Sequence, residues 1–513
     1  MKIAAPATPM LRVIAVAILL SIAAAVRWPF TTLDFNSLLT TYIADDAFYY
    51  FKIASHWATD HRITYDGDQL SNGFHPLWLA LITPFYTAAN HGVDFVYRVQ
   101  WLMFGIDLLT VVALFHVLQK LKTGLLVSCM GSLLFCMHSS FVDIQMNGLE
   151  TSLNTLLLLL LCSGFISLFR QQNYAWQTGV CFGVLAGFAF LARTDNAVTV
   201  LLLFLCLAWC GRQQWQRNFP PLLVAGAIAA LIALPWLLWN WWNFGSIVQS
   251  SGKIETIYWG EPQFRWQHTA FSFLMMPLKV YEQLQAFGRL FIAPVSNAKL
   301  ISIGVIAFFA GSLFWLRYSR CVPREIKALA VFCVAVLVVF IYHAAFRSFV
   351  RTWYYIPVAM VLLLLATTLV VQMPKKWGVS VLLLCVLSVL MLYSPLKLTR
   401  KVTEPSSHQV VADWINANTQ PNAVVGSMNS GVLSYLVQRK VVNLDGVVDV
   451  RSMQAHWQRR QPEYIHERGI NYLVDNDGAR AFFCRENPLH TCVPVFAFGD
   501  ARNSNKVVEI VNK

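Results

Sequence analysis

The feature that most constrains this 513-residue chain is a succession of apolar runs, each near the length a helix needs to cross a hydrocarbon core. They read as spans near 12–26, 100–119, 123–138, 151–169, 176–192, 197–210, 220–241, 299–316, 328–345, 355–373 and 377–393, eleven in all. The first has a basic start and small residues after its apolar middle, so a signal peptide cleaved after Ala23–Ala25 is the alternative to an uncleaved span. The run 176–210 leaves only Arg193, Thr194, Asp195 and Asn196 as a turn between two crossings. Two crossings there put Arg170, Arg212 and Arg217 on one side.

Charge supplies the orientation. With the N-terminus inside, the inner segments hold Lys2, Arg12, Lys120, Lys122, Arg170, Arg212, Arg217, Arg317, Arg320, Arg324, Lys327, Lys375 and Lys376 against Glu325 alone. That asymmetry accounts for much of the net charge of +13 without a nucleic-acid partner. Only 13% of residues are charged, about half the usual share for soluble domains, which excludes a soluble enzyme.

Residues 1–393 therefore read as an all-α polytopic membrane domain with two long outer loops, 27–99 and 242–298, and 394–513 as an outer tail. In the first loop, His75–Tyr86 is apolar but too short to span, and reads as a helix at the outer surface. The second loop sets Trp259, Trp266 and the stretch Phe271–Met276 beside Lys253, Glu255 and Arg265, which suits interfacial helices or a loop folded back on the membrane. From Glu404–Pro405 the pattern alternates: helix over 410–417, strand over 423–428, helix over 432–438, strands over 441–444 and 471–474. A small α/β domain follows, without a G-x-G-x-x-G or Walker loop. Nine of the eleven cysteines lie in or beside spans; Cys484 and Cys492 stand apart in the tail and form the natural disulfide pair of an oxidising compartment. No cysteine and histidine spacing suits zinc.

Four polar clusters converge on the outer face. Asp45 and Asp46 open Ala44–Ala54 (ADDAFYYFKIA), where Phe48, Phe51 and Ile53 suit a short helix on the membrane surface. Either acid could simply cap that helix. Asn147–Glu150 (NGLE), the turn Arg193–Asp195, and Arg347, Arg351, Trp353, Tyr354 and Tyr355 (RSFVRTWYY) arrive at the same face. Ionisable groups at membrane depth are costly, and a shared polar site explains the set better than separate salt bridges.

The acidic pair after the first span, the His75–Trp78 segment (HPLW), Glu150 in its G-L-E-T context and the LARTDN run resemble glycosyltransferases of the GT-C fold, which use lipid-linked sugars. The likeness is to the arabinofuranosyltransferase-like branch, with lipid A aminoarabinose transferases and protein O-mannosyltransferases sharing the broader plan. Val424–Asp449 also resembles the periplasmic domains of uncharacterised members. The resemblance implies an inverting sugar transfer at the periplasmic face of a bacterial inner membrane, from a polyprenyl-phosphate donor to a cell-envelope glycan, lipopolysaccharide or protein. It assigns Asp45 as the catalytic acid position and Glu150 as the second; Asp46 and Glu150 then orient the acceptor. His75 stands where aminoarabinose transferases carry lysine, and a neutral imidazole binds anions less well. Arg347 and Arg351 are better phosphate ligands, being permanently charged forks; Lys253, Arg193, Asp195 and Tyr354 complete the expected binding set. Asp45, Asp46 and Glu150 are also the hard oxygen ligands a divalent cation would take, and the sequence leaves metal dependence open. The rival is a carrier for a lipid-linked substrate, with Asp107, His116 and Asp143 as an ion pathway; a third is a scaffold whose working part is the tail. No inverted repeat supports a carrier.

Overall fold

The computed structural model describes residues 8–171, 173–254, 257–258, 261–262, 278, 280–290, 311, 322–346, 350–372, 378, 380, 383, 385–386, 402–476, 478, 483–484, 489–498 and 505–512. Helices α1 (Pro9–Thr32), α2 (Asp45–Asp60), α3 (Pro76–Ile82), α4 (Val93–Lys120), α5 (Leu125–Met137), α6 (Ser139–Gln145), α7 (Thr151–Arg170), α8 (Trp176–Ala192), α9 (Asn196–Gly211), α10 (Trp215–Phe244), α11 (Ser250–Ile254), α12 (Arg324–Phe346) and α13 (Ile356–Val370) build the membrane part. Among the described residues, six helical stretches are long and apolar enough to cross a membrane, or seven with the bent pair α5–α6 counted as one. The longest of these, Asn196–Phe244, folds back on itself. Asn218 bonds the Gly211 carbonyl, and a methyl on Gly226 would lie 4.0 Å from the Phe204 ring, a pairing that only an antiparallel hairpin of α9 and α10 permits. Nine of the eleven expected spans thus have their helix, while nearly all of 299–316 and of 377–393 lies outside the described residues.

Packing of α8 on α10 follows from sequence. Gly179, Gly183 and Gly187 form a G-x-x-x-G-x-x-x-G stripe, and they meet Pro221, Ala225 and Ile232 in register. A methyl group on Gly183 would lie 2.4 Å from the Ala225 carbonyl oxygen, so the two backbones touch. Rising numbers on both partners make α8 and α10 parallel. At the end that the charge asymmetry marks as inner, Glu325 pairs with Lys122 (2.7 Å) and Arg170 (3.2 Å), tying three turns together. Within the spans Arg27 of α1 is fully buried against Asp107 of α4.

Helix α2 departs from expectation. Phe48, Phe51 and Ile53 are fully buried rather than laid on lipid. Its N-cap is Ala44, with no side-chain cap bond, so neither Asp45 nor Asp46 caps it. The reason lies in the tail, which packs on α2: the Phe48 and Tyr435 rings sit 5.3 Å apart. Expected at the surface, α3 likewise buries Trp78 and Ile82.

The tail contains α14 (Ser407–Asn418), β1 (Val424–Ser427), α15 (Gly431–Leu436), β2 (Lys440–Asn443), α16 (Val450–Gln458), α17 (Gln461–Glu467), β3 (Tyr472–Asp475), β4 (His490–Phe498) and β5 (Asn505–Asn512). Its sheet runs β2-β1-β3-β5-β4, with the first three strands parallel and the last two antiparallel. A disulfide joins Cys484 and Cys492. The carboxyl ends of β1, β2 and β3 face α2, and ion pairs Arg468–Asp66 and Lys440–Asp68 pin the tail to the first outer loop.

Candidate active site

The NGLE turn carries the first half of the site. Gly148 holds φ at +89°, and a methyl there would lie 2.7 Å from Ala47 Cβ, so the turn presses directly on α2. Ala44 N–H donates to the Asn147 carbonyl (3.0 Å), and Trp78 Nε1 donates to that of Gly148 (3.1 Å). Glu150 follows, buried. Arg193 Nη1 reaches its carboxylate at 2.8 Å, the Tyr50 hydroxyl donates to it at 3.0 Å, and His75 Nε2 lies 3.5 Å away. Thr194 N–H donates to His75 Nδ1 (3.3 Å), which leaves the ring proton on the nitrogen facing Glu150.

Arg193 also grips Asp195 through two nitrogens (3.2 and 2.8 Å), and His343 Nε2 lies 2.8 Å from the same carboxylate. The guanidinium stacks 4.3 Å from the centre of the Tyr354 ring. Burial opposes ionisation of Asp195, but Arg193 and His343 outweigh it and hold the carboxyl well below its usual range. A narrow cleft begins at this network and lies among α7, α9, α12 and α13, against Leu158, Val336 and Val358. Leu158 lies about two helical turns below Glu150.

Asp45 and Asp46 form the second half. Asp45 accepts from Gly431 N–H (3.2 Å) on one oxygen and from Val432 N–H (2.7 Å) on the other. Burial raises its pKa, against the pull of those two donors and of Arg351. Burial pushes Asp46 up to about 6; Arg351 opposes the rise, and the charges of Asp45 and Glu150 add to it. Tyr49 of α2 donates to Asp445 (3.1 Å), a tail carboxyl that burial pushes up to about 7.

Asp45, Asp46, His75, Glu150, Arg193, Asp195 and Tyr354 thus occupy one end of the helix bundle, with Arg351 in electrostatic reach of both aspartates. Lys253 sits one turn beyond Gln249, whose side chain meets Thr194 (3.4 Å). Arg347 lies outside the described residues. Sequence reasoning missed Tyr49, Tyr50, His343, Asp445 and the Gly431–Val432 segment. His343 had a usable signal, a lone ionisable residue inside the apolar run of α12. Gly431 and Val432 had none, because a backbone donor looks the same in every sequence.

A divalent cation on Asp45, Asp46 and Glu150 does not fit this geometry. Glu150 is already neutralised by Arg193, and among the described residues no three His, Cys, Asp or Glu side chains could hold a metal ion. Asp107, offered above as part of an ion pathway, is neutralised by Arg27 instead.

A family model described as a domain of unknown function, DUF8728, matches residues 399–508, within the tail. No curated protein matches the sequence. The fold is similar to ArnT from Cupriavidus metallidurans, both bound to undecaprenyl phosphate (TM-score 0.57) and in the apo state (0.58). In each case identity is 13%, over 96% of this chain and 97% of the other. Arabinofuranosyltransferase AftD from Mycobacteria is similar at TM-score 0.50 and 13% identity, over 99% of this chain but 40% of that one. The chain therefore has the fold of these GT-C membrane enzymes, with a small α/β domain at its C-terminal end.

Proposed function

We propose that this protein is an inverting glycosyltransferase that moves a sugar from a polyprenyl-phosphate carrier to a cell-envelope acceptor at the periplasmic face of a bacterial inner membrane. The observation that carries the reading is the meeting, at one end of the spans, of a carboxylate pair, a cationic arm and a narrow, largely apolar cleft between helices. A lipid-linked sugar calls for a cation at the phosphate and a base beside the anomeric carbon, and the apolar side of the narrow cleft suits the first units of the isoprenoid. The ArnT structure that this chain is similar to has undecaprenyl phosphate bound. Arg351 is exposed, permanently charged and in electrostatic reach of both aspartates, so it is assigned to the phosphate.

The acceptor hydroxyl gives its proton to Asp45 as its oxygen attacks the anomeric carbon. On the opposite face the bond from that carbon to the phosphate oxygen breaks, its electron pair leaves on the phosphate, and the configuration inverts. Charge accumulates on the departing phosphate, where Arg351 stabilises it. Two N–H donors leave Asp45 further lone pairs for the proton, since an ionised carboxylate offers about four acceptor positions. Asp46 and Glu150 orient the acceptor; Tyr50 donates to Glu150, while Tyr49 ties the same helix to the tail through Asp445.

Transfer of labelled sugar from short-chain polyprenyl-phosphate pentoses and hexoses to membrane extracts tests the reading. It is overturned by a purified wild-type protein that transfers none of them. Asp45→Asn retaining more than roughly a tenth of the activity removes Asp45 as the base.

A further inference from the structure

In a free α/β sheet, ligands sit at the carboxyl ends of the strands where the chain order reverses. The tail has such a point. From β1 the chain crosses to β2 on one side and then returns to β3 on the other, so the segment after β1, Met428–Val432, rims the crevice. The carboxylate at that rim is Asp45, from the membrane domain.

The segment is fixed along its length. Asp475 at the end of β3 accepts from the N–H groups of Met428 (2.7 Å) and Asn429 (3.4 Å). Ser430 receives the Tyr65 hydroxyl, at 2.8 Å from both its carbonyl and its Oγ, and Asn443 Nδ2 lies 2.9 Å from that Oγ. Gly431 then meets Asp45 so closely that a methyl on it would lie 2.0 Å from the Asp45 carbonyl oxygen. Two N–H groups held this firmly and aimed at separate oxygens of one carboxylate determine its rotation as well as its position.

We infer that the tail is part of the reaction centre: the backbone N–H groups of Gly431 and Val432 act as the orienting group for Asp45, as a third residue orients the base in a catalytic triad. The inference rests on the proposed role of Asp45 as base. It assigns Gly431 and Val432 as positioning residues, acting through the peptide backbone. The other charged or titratable groups facing Asp45 are Asp46 and Tyr49 on α2, Tyr65 in the outer loop, Asp475 on β3 and Arg351 before α13.

Val432→Pro tests it, because it deletes the shorter of the two donors in the first turn of α15, where proline is tolerated. A carboxylate deprived of a donor is harder to ionise, so the acid limb of the kcat/KM profile should move up by about one pH unit. KM for the lipid-phosphate sugar should stay at the wild-type value, and kcat at neutral pH should fall roughly tenfold. Val432→Ala keeps the N–H and should keep the wild-type acid limb. A Val432→Pro enzyme with an unmoved acid limb overturns the inference. Should that variant not fold, hydrogen exchange decides: in Asp45→Ala the amides of the peptide spanning 429–434 should exchange at least tenfold faster than in wild type, and equal rates overturn it. If instead Asp45→Asn remains active while exchange accelerates in Asp45→Ala, the contact stands as a clamp between domains and the catalytic reading of Asp45 is what falls.

Discussion

Both ends of the helix bundle carry a three-membered ionic knot, and the two are built differently. At the inner end Glu325 joins Lys122 and Arg170, whose side chains remain 59% and 43% exposed. At the outer end Arg193 joins Glu150 and Asp195 with side-chain exposures of 6%, 3% and 17%. In the inner knot only the cations reach water, the Glu325 side chain being 6% exposed, and it ties together turns that the spans already fix. The outer one has displaced its water and recruited His75, Tyr50, His343 and the Tyr354 ring. Desolvated charge on that scale is tolerated where it holds reacting groups in place.

The largest effect should come at the outer end. Asp45→Asn should cost 10²–10⁴-fold in kcat while the protein remains folded, with about 1–3 kcal/mol lost because its amide nitrogen faces one of the two N–H donors, and Asp46→Asn should cost less, as measured by lipid-phosphate sugar transfer and thermal unfolding. Arg193→Ala leaves Glu150 and Asp195 buried without their cation, so it should destabilise the protein by about 3–5 kcal/mol in thermal or denaturant unfolding. A drop under 1 kcal/mol would make the outer knot no different from the inner. Next in size is the tail: replacing Cys484 and Cys492 together by serine should cost about 2–3 kcal/mol, read by unfolding of the purified protein with and without reductant.

Asp46 gives a smaller, pH-dependent effect. Its pKa is raised from 3.8 to about 6, so the folded state binds its proton more tightly than the unfolded state does. Stability should therefore fall as pH rises from about 4 to about 6 and level off above. Asp46→Asn should flatten that slope in melting curves recorded from pH 4 to 8. Smallest of all, Glu325→Gln at the inner end should shift stability by about 0–1 kcal/mol and leave transfer unchanged.

Much of the bundle was legible because bilayer thickness imposes a length on each apolar run, and lysine and arginine mark the inner turns. Hence nine helices fall where hydropathy put them, and the NGLE turn and Arg193–Asp195 meet as parity required. Illegible features were those set by contact between distant segments. Asp45 looked like a cap for its own helix, yet it bonds the backbone at the start of α15. In the tail, α16, α17, β4 and β5 escaped notice. In β4 several apolar side chains, including Val493, Val495 and Phe498, are exposed, so the strand lacks the alternation that betrays a half-buried one.

The bond from Asp45 to Gly431 joins residues 386 positions apart, and that separation has a meaning in time. A chain emerges from the ribosome N-terminus first, at roughly 5–20 residues per second. Asp45 is therefore made early, and the two N–H groups it bonds follow only after the helices of the described bundle. For tens of seconds the emerging chain carries an aspartate with nothing to aim it. On the proposed role of Asp45, products truncated before Gly431 lack the donors that aim it and should be inactive even when inserted in the membrane.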